Sequence, residues 1–555
     1  MERIRRRGRL FLLPLLLLAA CTRPDDIAGP EEETPVLRSV VPAFNSVVIP
    51  AGESVTVPFT VTDADYAFNY GVTSSQCQVK LLSPGGKVPE EFCLKDVYPS
   101  GDKGTYTAVI ADAGTGKNYD CTACIAIVVR SEKTGGESIV RSAEIQFKSE
   151  ILPAGTVHTG LPVVYVDTEG ARAVTSKTEY LPASVRVRGE GGYESQDTLA
   201  CEIRGRGNTT WWWPKKPYLL KLQEREHMLG MRKHKRWVLL ANFMDRTLMR
   251  NLVAMKVASL TSLAWSPSCV PVELVLNGKH QGSYLLIEQV RVDKHRVDIT
   301  EMTPQDNDGD AVTGGYLLEL DFHYDNEVQW VDPHGDNGQW GGQSGIPFGV
   351  KYPDSGDLTP QQLTFIKKYV YDTAEALYGP DFRDPEKGYA AWIDVDSFID
   401  YWIVFEVMGN HELGNPGSVF FHKDRGGKLV AGPCWDFDWG VLSYRTSPHA
   451  KTGLVNGNAI WYARLFQDPD FKAKVKKRFQ ELLPELQKIP DYMDACEELL
   501  AASADLNFAM WNPAEDASQN GGHIINGDER MSFHDAVALL KNNFEERLTV
   551  IPKNL

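Results

Sequence analysis

The period of the apolar positions changes along the chain and divides it. Between residues 36 and 148, short runs alternate apolar and polar residues: Ser54-Val55-Thr56-Val57-Pro58-Phe59-Thr60-Val61, then 78–82, 105–110, 124–129 and 143–147. Period-two alternation sends every second side chain to one face of a strand, and clusters of Gly, Pro, Asp and Ser between the runs end each one. Short strands at such spacing predict an all-β, immunoglobulin-like sandwich over 36–148. From about residue 155 the pattern becomes α+β. The runs 272–276 and 283–288 flank Asn277-Gly278, a pair that tolerates left-handed backbone and predicts a hairpin. A second hairpin is expected around Asp424-Arg425-Gly426-Gly427.

Leu248, Leu252, Met255 and Leu260 predict a helix starting at an Asp245 cap. Thr359, Pro360 and Gln362 predict a capping box for a second helix, ended by Gly379-Pro380. A third is expected over about 396–408, stopped by Gly409-Asn410. From about Pro469 the chain reads as helical, with Pro484 expected to break one helix into two. The stretch 335–345, with Trp340 inside it, reads as a glycine-rich loop.

The N-terminus adds a compartment. Arg3, Arg5, Arg6, Arg7 and Arg9 precede an apolar run over 10–18, and Leu18-Ala19-Ala20-Cys21 follows. A basic start and a short apolar core describe an export signal; a membrane span needs about 20 apolar residues. The small residues before Cys21 resemble a bacterial lipobox, which implies a signal peptide over 1–20 and acylation of the Cys21 thiol. Residues 21–35 then form an acidic tether, which resembles the export signals of Bacteroidetes surface lipoproteins. The expected location is the cell envelope, on the outer membrane, held by acyl chains whose buried methylenes contribute about 0.8 kcal/mol each.

A net charge of −16 argues against a nucleic-acid partner. Cys121 and Cys124 make one CxxC with no second, which gives no zinc ribbon. After export, Cys77, Cys93, Cys121 and Cys124 are candidates for a disulfide.

Two segments carry candidate chemistry. In Arg204-Gly205-Arg206-Gly207 followed by Lys216 and Lys221, the residues predict a strand, a glycine turn and a second strand, with four cations beside it. Backbone N–H groups of such a turn can cradle phosphate and lysine can neutralise it, although a plain surface hairpin has the same composition. In Trp435-Asp436-Phe437-Asp438-Trp439 two carboxylates stand two apart, on one face if the segment is extended, among aromatics that draw them inward. Such a pair suits a hard cation such as Mg²⁺. Between them, Asn410, Glu412 and Asn415 follow an apolar helix and offer a general base and amide ligands, or else only a helix cap. Glu288 ends an apolar strand; buried there it needs a cation, for which Lys216 or Lys221 is a candidate.

The order of these motifs resembles the CotH kinase family. The matching stretches are RGRGNTTWWWPKKPYLLKL (204–222), RWVLLANFMDRTLMRNLVA (236–254), GSYLLIEQVRVDKHRVDI (282–299), GGYLLELD (314–321) and SVFFHKDRGGKLVAGPCWDFDWG (418–440). The resemblance implies a protein-kinase-like domain over 155–555 that uses ATP and Mg²⁺. Asp436 and Asp438 would be its metal ligands and Glu412 its catalytic carboxylate, where many relatives carry Asp. Arg204, Arg206, Lys216, Lys221, Glu288 and Asn415 would bind the nucleotide, and a protein hydroxyl, of unknown identity, would accept the phosphoryl group. The alternative is an inactive surface lipoprotein, a pseudokinase scaffold or adhesin whose N-terminal domain binds a glycan or protein; separately, the chain's thirteen tryptophans, Trp211-Trp212-Trp213 among them, could stack on sugars. A metal-dependent hydrolase built on Asp436 and Asp438 would lack a His-rich ligand set.

Overall fold

The computed structural model describes residues 37–63, 77–100, 104–114, 119–130, 136–150, 153–321, 328–335, 345–514 and 526–555. Cys21, the tether and Trp340 lie outside them. The chain divides into two compact units, Met1–Ala154 and Gly155–Leu555.

The first unit is all β. One sheet runs β1 (Leu37–Pro42), β3 (Ser54–Asp63), β6 (Thr105–Asp112), β5 (Phe92–Pro99). The other runs β2 (Ser46–Pro50), β9 (Ile145–Glu150), β7 (Asp120–Arg130), β4 (Cys77–Leu82), with β8 (Glu137–Arg141) on β7. Val57, Phe59, Ile110, Ile125, Ile127 and Phe147 from the two sheets bury into one core, as the alternation requires. Cys93, Cys121 and Cys124 form no disulfide, which corrects the expectation of a bridge among these cysteines. Their strand partners explain it: Cys77 lies opposite Val129, Cys93 opposite Ala111, Cys121 opposite Phe147 and Cys124 opposite Leu82.

The second unit opens with a closed seven-stranded barrel. Its strands are β10 (Val163–Thr168), β11 (Leu181–Arg188), β12 (Gln196–Gly205), β13 (Tyr218–Glu226), β14 (His234–Leu240), β15 (Cys269–Leu276) and β16 (Lys279–Glu288). Their order is β10-β11-β12-β13-β14-β16-β15, and the parallel pairing of β10 with β15 closes it. Asn277 and Gly278, both at positive φ, turn the β15–β16 hairpin. Val166, Ile203, Leu220, Trp237, Leu274 and Leu286 fill the barrel. Their neighbours Leu219, Val238, Leu285 and Ile287 point outward and are also buried, so these strands read as continuous apolar runs.

That outer face packs into a larger core with helix α1 (Arg250–Ala258), a second sheet and further helices. The second sheet is ordered β18 (Gln329–Asp332), β19 (Ile346–Tyr352), β17 (Tyr316–Leu320), β20 (Val419–Lys423), β21 (Leu429–Ala431). Around it lie α2 (Pro360–Tyr378), α3 (Val395–Val407), α4 (Pro469–Leu486), α5 (Ile489–Met510) and α6 (Phe533–Asn554). The capping box of Thr359 and Gln362 forms at the start of α2. Helix α3 is buried on every side from Ser397 to Val407, which suits its nearly unbroken apolar sequence.

Two expectations shift. Helix α1 begins at Arg250 rather than Asp245, because the Asp245 carboxylate caps the Arg250 N–H from five residues back (2.8 Å). Pro484 lies inside α4, which runs on to Leu486; the break comes at Gln487 and Lys488.

Candidate active site

Four segments of the second unit meet at one place. Strand β12 exits into Arg206, β17 ends before Asp321, α3 delivers Asn410 and Glu412, and the chain after β21 supplies Asp436 and Asp438. The last segment is not a strand. Asp436 takes φ +63°, a left-handed conformation uncommon outside glycine, and Ser418 beside it takes +56°. Surrounding side chains hold this shape in place of a sheet ladder. Asn410 Nδ2 donates to the Asp436 carbonyl (3.4 Å) and Ser418 Oγ to the Asp436 carboxylate (3.3 Å). Phe437 N donates to Asn251 Oδ1 (2.7 Å), and Asn526 Nδ2 donates to the Asp438 carbonyl (3.0 Å).

The carboxylates lie close enough to repel one another. The Asp438 side chain is hydrogen-bonded to Asp436, and burial plus the Asp436 charge push it well above the carboxylate range, with Arg206 opposing. Burial also pushes Glu412 well above its ordinary value, reinforced by Asp436, Asp438 and Asp321. Glu412 Oε2 is sealed from solvent with no hydrogen-bond partner, while the Glu412 N–H sits on Asn410 Oδ1 (2.8 Å). Arg206 is the cation facing the group: its guanidinium lies 5.6 Å from the Trp435 ring centroid, and Asp436 and Asp438 oppose the downward pull of burial on it.

A family model described as CotH kinase protein matches residues 203–551. The chain belongs to the CotH kinase family. A comparison with curated proteins gives no match. The matched stretch of the CotH domain contains every residue of the site just described and none of β1–β9.

A divalent cation fits these residues. Two adjacent carboxylates, with Asp438 pushed well above its ordinary range, and a third with an orphaned buried oxygen are hard donors whose mutual repulsion Arg206 only partly offsets. Among the described residues no three His, Cys, Asp or Glu side chains close on a point as a finished metal cage. Mg²⁺ commonly takes one or two carboxylates and fills the rest of its shell with water and phosphate oxygens.

The other expected nucleotide contacts do not assemble. Arg204 donates to the Lys177 carbonyl and lies 5.1 Å from the Tyr180 ring. Lys216 Nζ donates to the Trp211 carbonyl (2.7 Å), and Lys221 pairs with Glu202 (2.8 Å), its register partner on β12. Asn415 closes a turn through its N–H on the His411 carbonyl (3.2 Å). Glu288 is fully buried, but its cation is Arg296 (3.9 Å) and not Lys216 or Lys221; Ser268 N donates to it as well (2.9 Å). The buried lysine of the segment is Lys215, held by the Ser283 carbonyl and Asn507 Oδ1 (2.7 Å).

Sequence reasoning missed Asn251, Asp321 and Asn526. Asn251 and Asp321 lie inside stretches already singled out, but nothing marked their side chains as facing the aspartates. Asn526 carries no local signal at all.

Proposed function

We propose that this protein is an envelope lipoprotein, acylated on Cys21, whose kinase-like domain transfers the γ-phosphoryl group of ATP to a protein hydroxyl with Mg²⁺. The observation that carries the reading is the convergence of Glu412, Asp436 and Asp438 with Arg206, from three separated segments. When bound, the metal would offset the charge of the nucleotide phosphates, and Asp436 and Asp438 would hold it. Arg206, kept in place over Trp435, offers a second positive charge to phosphate oxygens. Glu412 stands near the aspartates, on a loop fixed through Asn410. Raised as it is, Glu412 can act as a base only when a cation on Asp436 and Asp438 offsets the charges that help keep it protonated; once ionised, its carboxylate would orient the attacking hydroxyl and take its proton. The residues contribute position and electrostatics, which supply most of the catalysis in phosphoryl transfer.

A second reading, an inactive scaffold that binds a glycan or protein, is favoured by one observation: the Trp212 ring is 80% exposed. Nucleotide binding to the purified chain, with and without Mg²⁺, followed by phosphoryl transfer from labelled ATP, tests the two. Magnesium-dependent binding and transfer lost in Asp436→Ala support the kinase. No magnesium-dependent binding leaves the scaffold.

A further inference from the structure

The segment Asn526–Glu529 lies outside the motifs that define the site, yet its side chains reach the aspartates. Asn526 is fully buried and uses its whole amide. Oδ1 accepts from Gly440 N (2.7 Å), and Nδ2 donates to the carbonyls of Asp438 (3.0 Å) and Met244 (2.9 Å). It therefore grips the peptides on both sides of Trp439 and ties them to the loop that precedes α1. Its own backbone is fixed in turn. Glu529 Oε1 accepts from Asn526 N (2.9 Å) and Gly527 N (3.1 Å), and Arg445 N donates to the Asn526 carbonyl (3.0 Å). Two residues on, Asp528 meets Arg250 in a buried ion pair that also includes Asp245. Arg250 Nε reaches the Val441 carbonyl (2.8 Å), just past the gripped segment.

We infer that Asn526 is a positioning residue for the metal-binding aspartates: it fixes the peptide that aims the Asp438 carboxylate, and so sets how much Mg²⁺ the site needs. The inference rests on the phosphotransferase reading and deepens it. Geometry supports it, since residues 436–440 have no strand partner, so side chains such as Asn526 hold their peptides, and a carboxylate otherwise swings with its backbone. A buried asparagine making three bonds costs too much to strand for the grip to slip.

The test measures Mg²⁺ dependence of ATP binding in the full chain by calorimetric titration, alongside thermal melting. Asn526→Ala should raise the Mg²⁺ midpoint at least tenfold. Glu529→Ala should raise it several-fold, while Glu529→Gln, which keeps the accepting oxygen, should restore it. Gln362→Ala, which breaks the distant α2 cap, should lower the melting temperature and leave the midpoint unmoved. If Asn526→Ala does not fold, the Glu529 pair decides. A wild-type midpoint in folded Asn526→Ala, or no difference between the two Glu529 variants, overturns the inference and leaves the kinase reading standing. Absence of Mg²⁺-dependent ATP binding in the wild type overturns both, and is a different result.

Discussion

The Arg206 guanidinium lies 5.6 Å from the centroid of the Trp435 ring, one residue ahead of the Asp436 that it faces. The ring holds the charge in place without consuming its hydrogen bonds, so they remain for phosphate oxygens. Arg206→Met keeps the bulk and loses the charge. Charge-assisted hydrogen bonds contribute about 1.5–3 kcal/mol, so ATP affinity at saturating Mg²⁺ should fall roughly 10- to 100-fold. Calorimetric titration reads it directly. Arg204→Met, next to Tyr180 rather than the aspartates, should cost much less; equal losses would show that Arg206 has no special place.

Asp438→Asn separates the metal from the fold. In the metal-free protein Asp438 is held well above the ordinary carboxylate range, by burial and by Asp436. The folded chain then keeps a proton that the unfolded chain releases, so metal-free stability falls as pH rises above about 4, the unfolded value. The amide cannot ionise. The variant should melt at or above the wild-type temperature at pH 7 without metal, show a flatter pH dependence, and lose the shift in melting that Mg²⁺ with ATP produces. A variant that melts well below the wild type would mean that the carboxylate has a structural partner.

The sequence shows the strands, the Asn277-Gly278 hairpin and the α2 cap because each is a local event: alternation, a turn pair, a capping box. It also shows Asp436, Asp438 and Glu412, because carboxylates among aromatics stand out without any knowledge of contacts. It does not show which cation faces them. Arg204, Arg206, Lys216 and Lys221 are equivalent in composition, and the barrel sorts them. Arg204 turns to the Lys177 carbonyl, Lys221 to Glu202 across the strand pair, and Lys216 folds back on Trp211. The Glu288–Arg296 pair is similarly hidden, since it forms through a loop and not along a strand. The Pro484 break fails as an expectation because the helix continues through the proline for two more residues before it ends.

Lys215 makes stability depend on pH in the opposite sense. It is buried beneath Tyr284, whose ring centroid is 4.5 Å from Nζ, and burial pulls its pKa down to about 7. Above that value the folded lysine is neutral, and its two amine hydrogens still serve the Ser283 carbonyl and Asn507 Oδ1. The unfolded lysine stays charged up to about 10.4, so its contribution to stability rises from pH 7 towards 10 and is constant below. Lys215→Met removes the slope. Denaturant melts at pH 7.5 and 9.5 should show the wild type gaining on the variant by about 1.4 kcal/mol per pH unit at most. A constant difference would place the lysine in contact with water.

In the proposed reaction Glu412 is the group that takes the hydroxyl proton. Its Oε2 has no hydrogen-bond partner, and its nearest charges are Asp436, Asp438 and Asp321, so nothing in the fold calls for a carboxylate there. A residue that the fold does not need, held at a cost, is a mark of chemistry. Glu412→Gln keeps the shape and removes the base. General base catalysis is worth roughly 10²–10⁴-fold, so kcat for phosphoryl transfer should fall by that factor. Magnesium-dependent ATP binding should persist within a few-fold, and the metal-free protein should be no less stable. Glu412→Asp tests reach in place of charge: it keeps the carboxylate and shortens the side chain by one methylene. If the longer side chain suits this site, the aspartate variant should transfer more slowly than the wild type and faster than the glutamine variant. Transfer that survives undiminished in Glu412→Gln would remove Glu412 from the chemistry and leave the proton to another group.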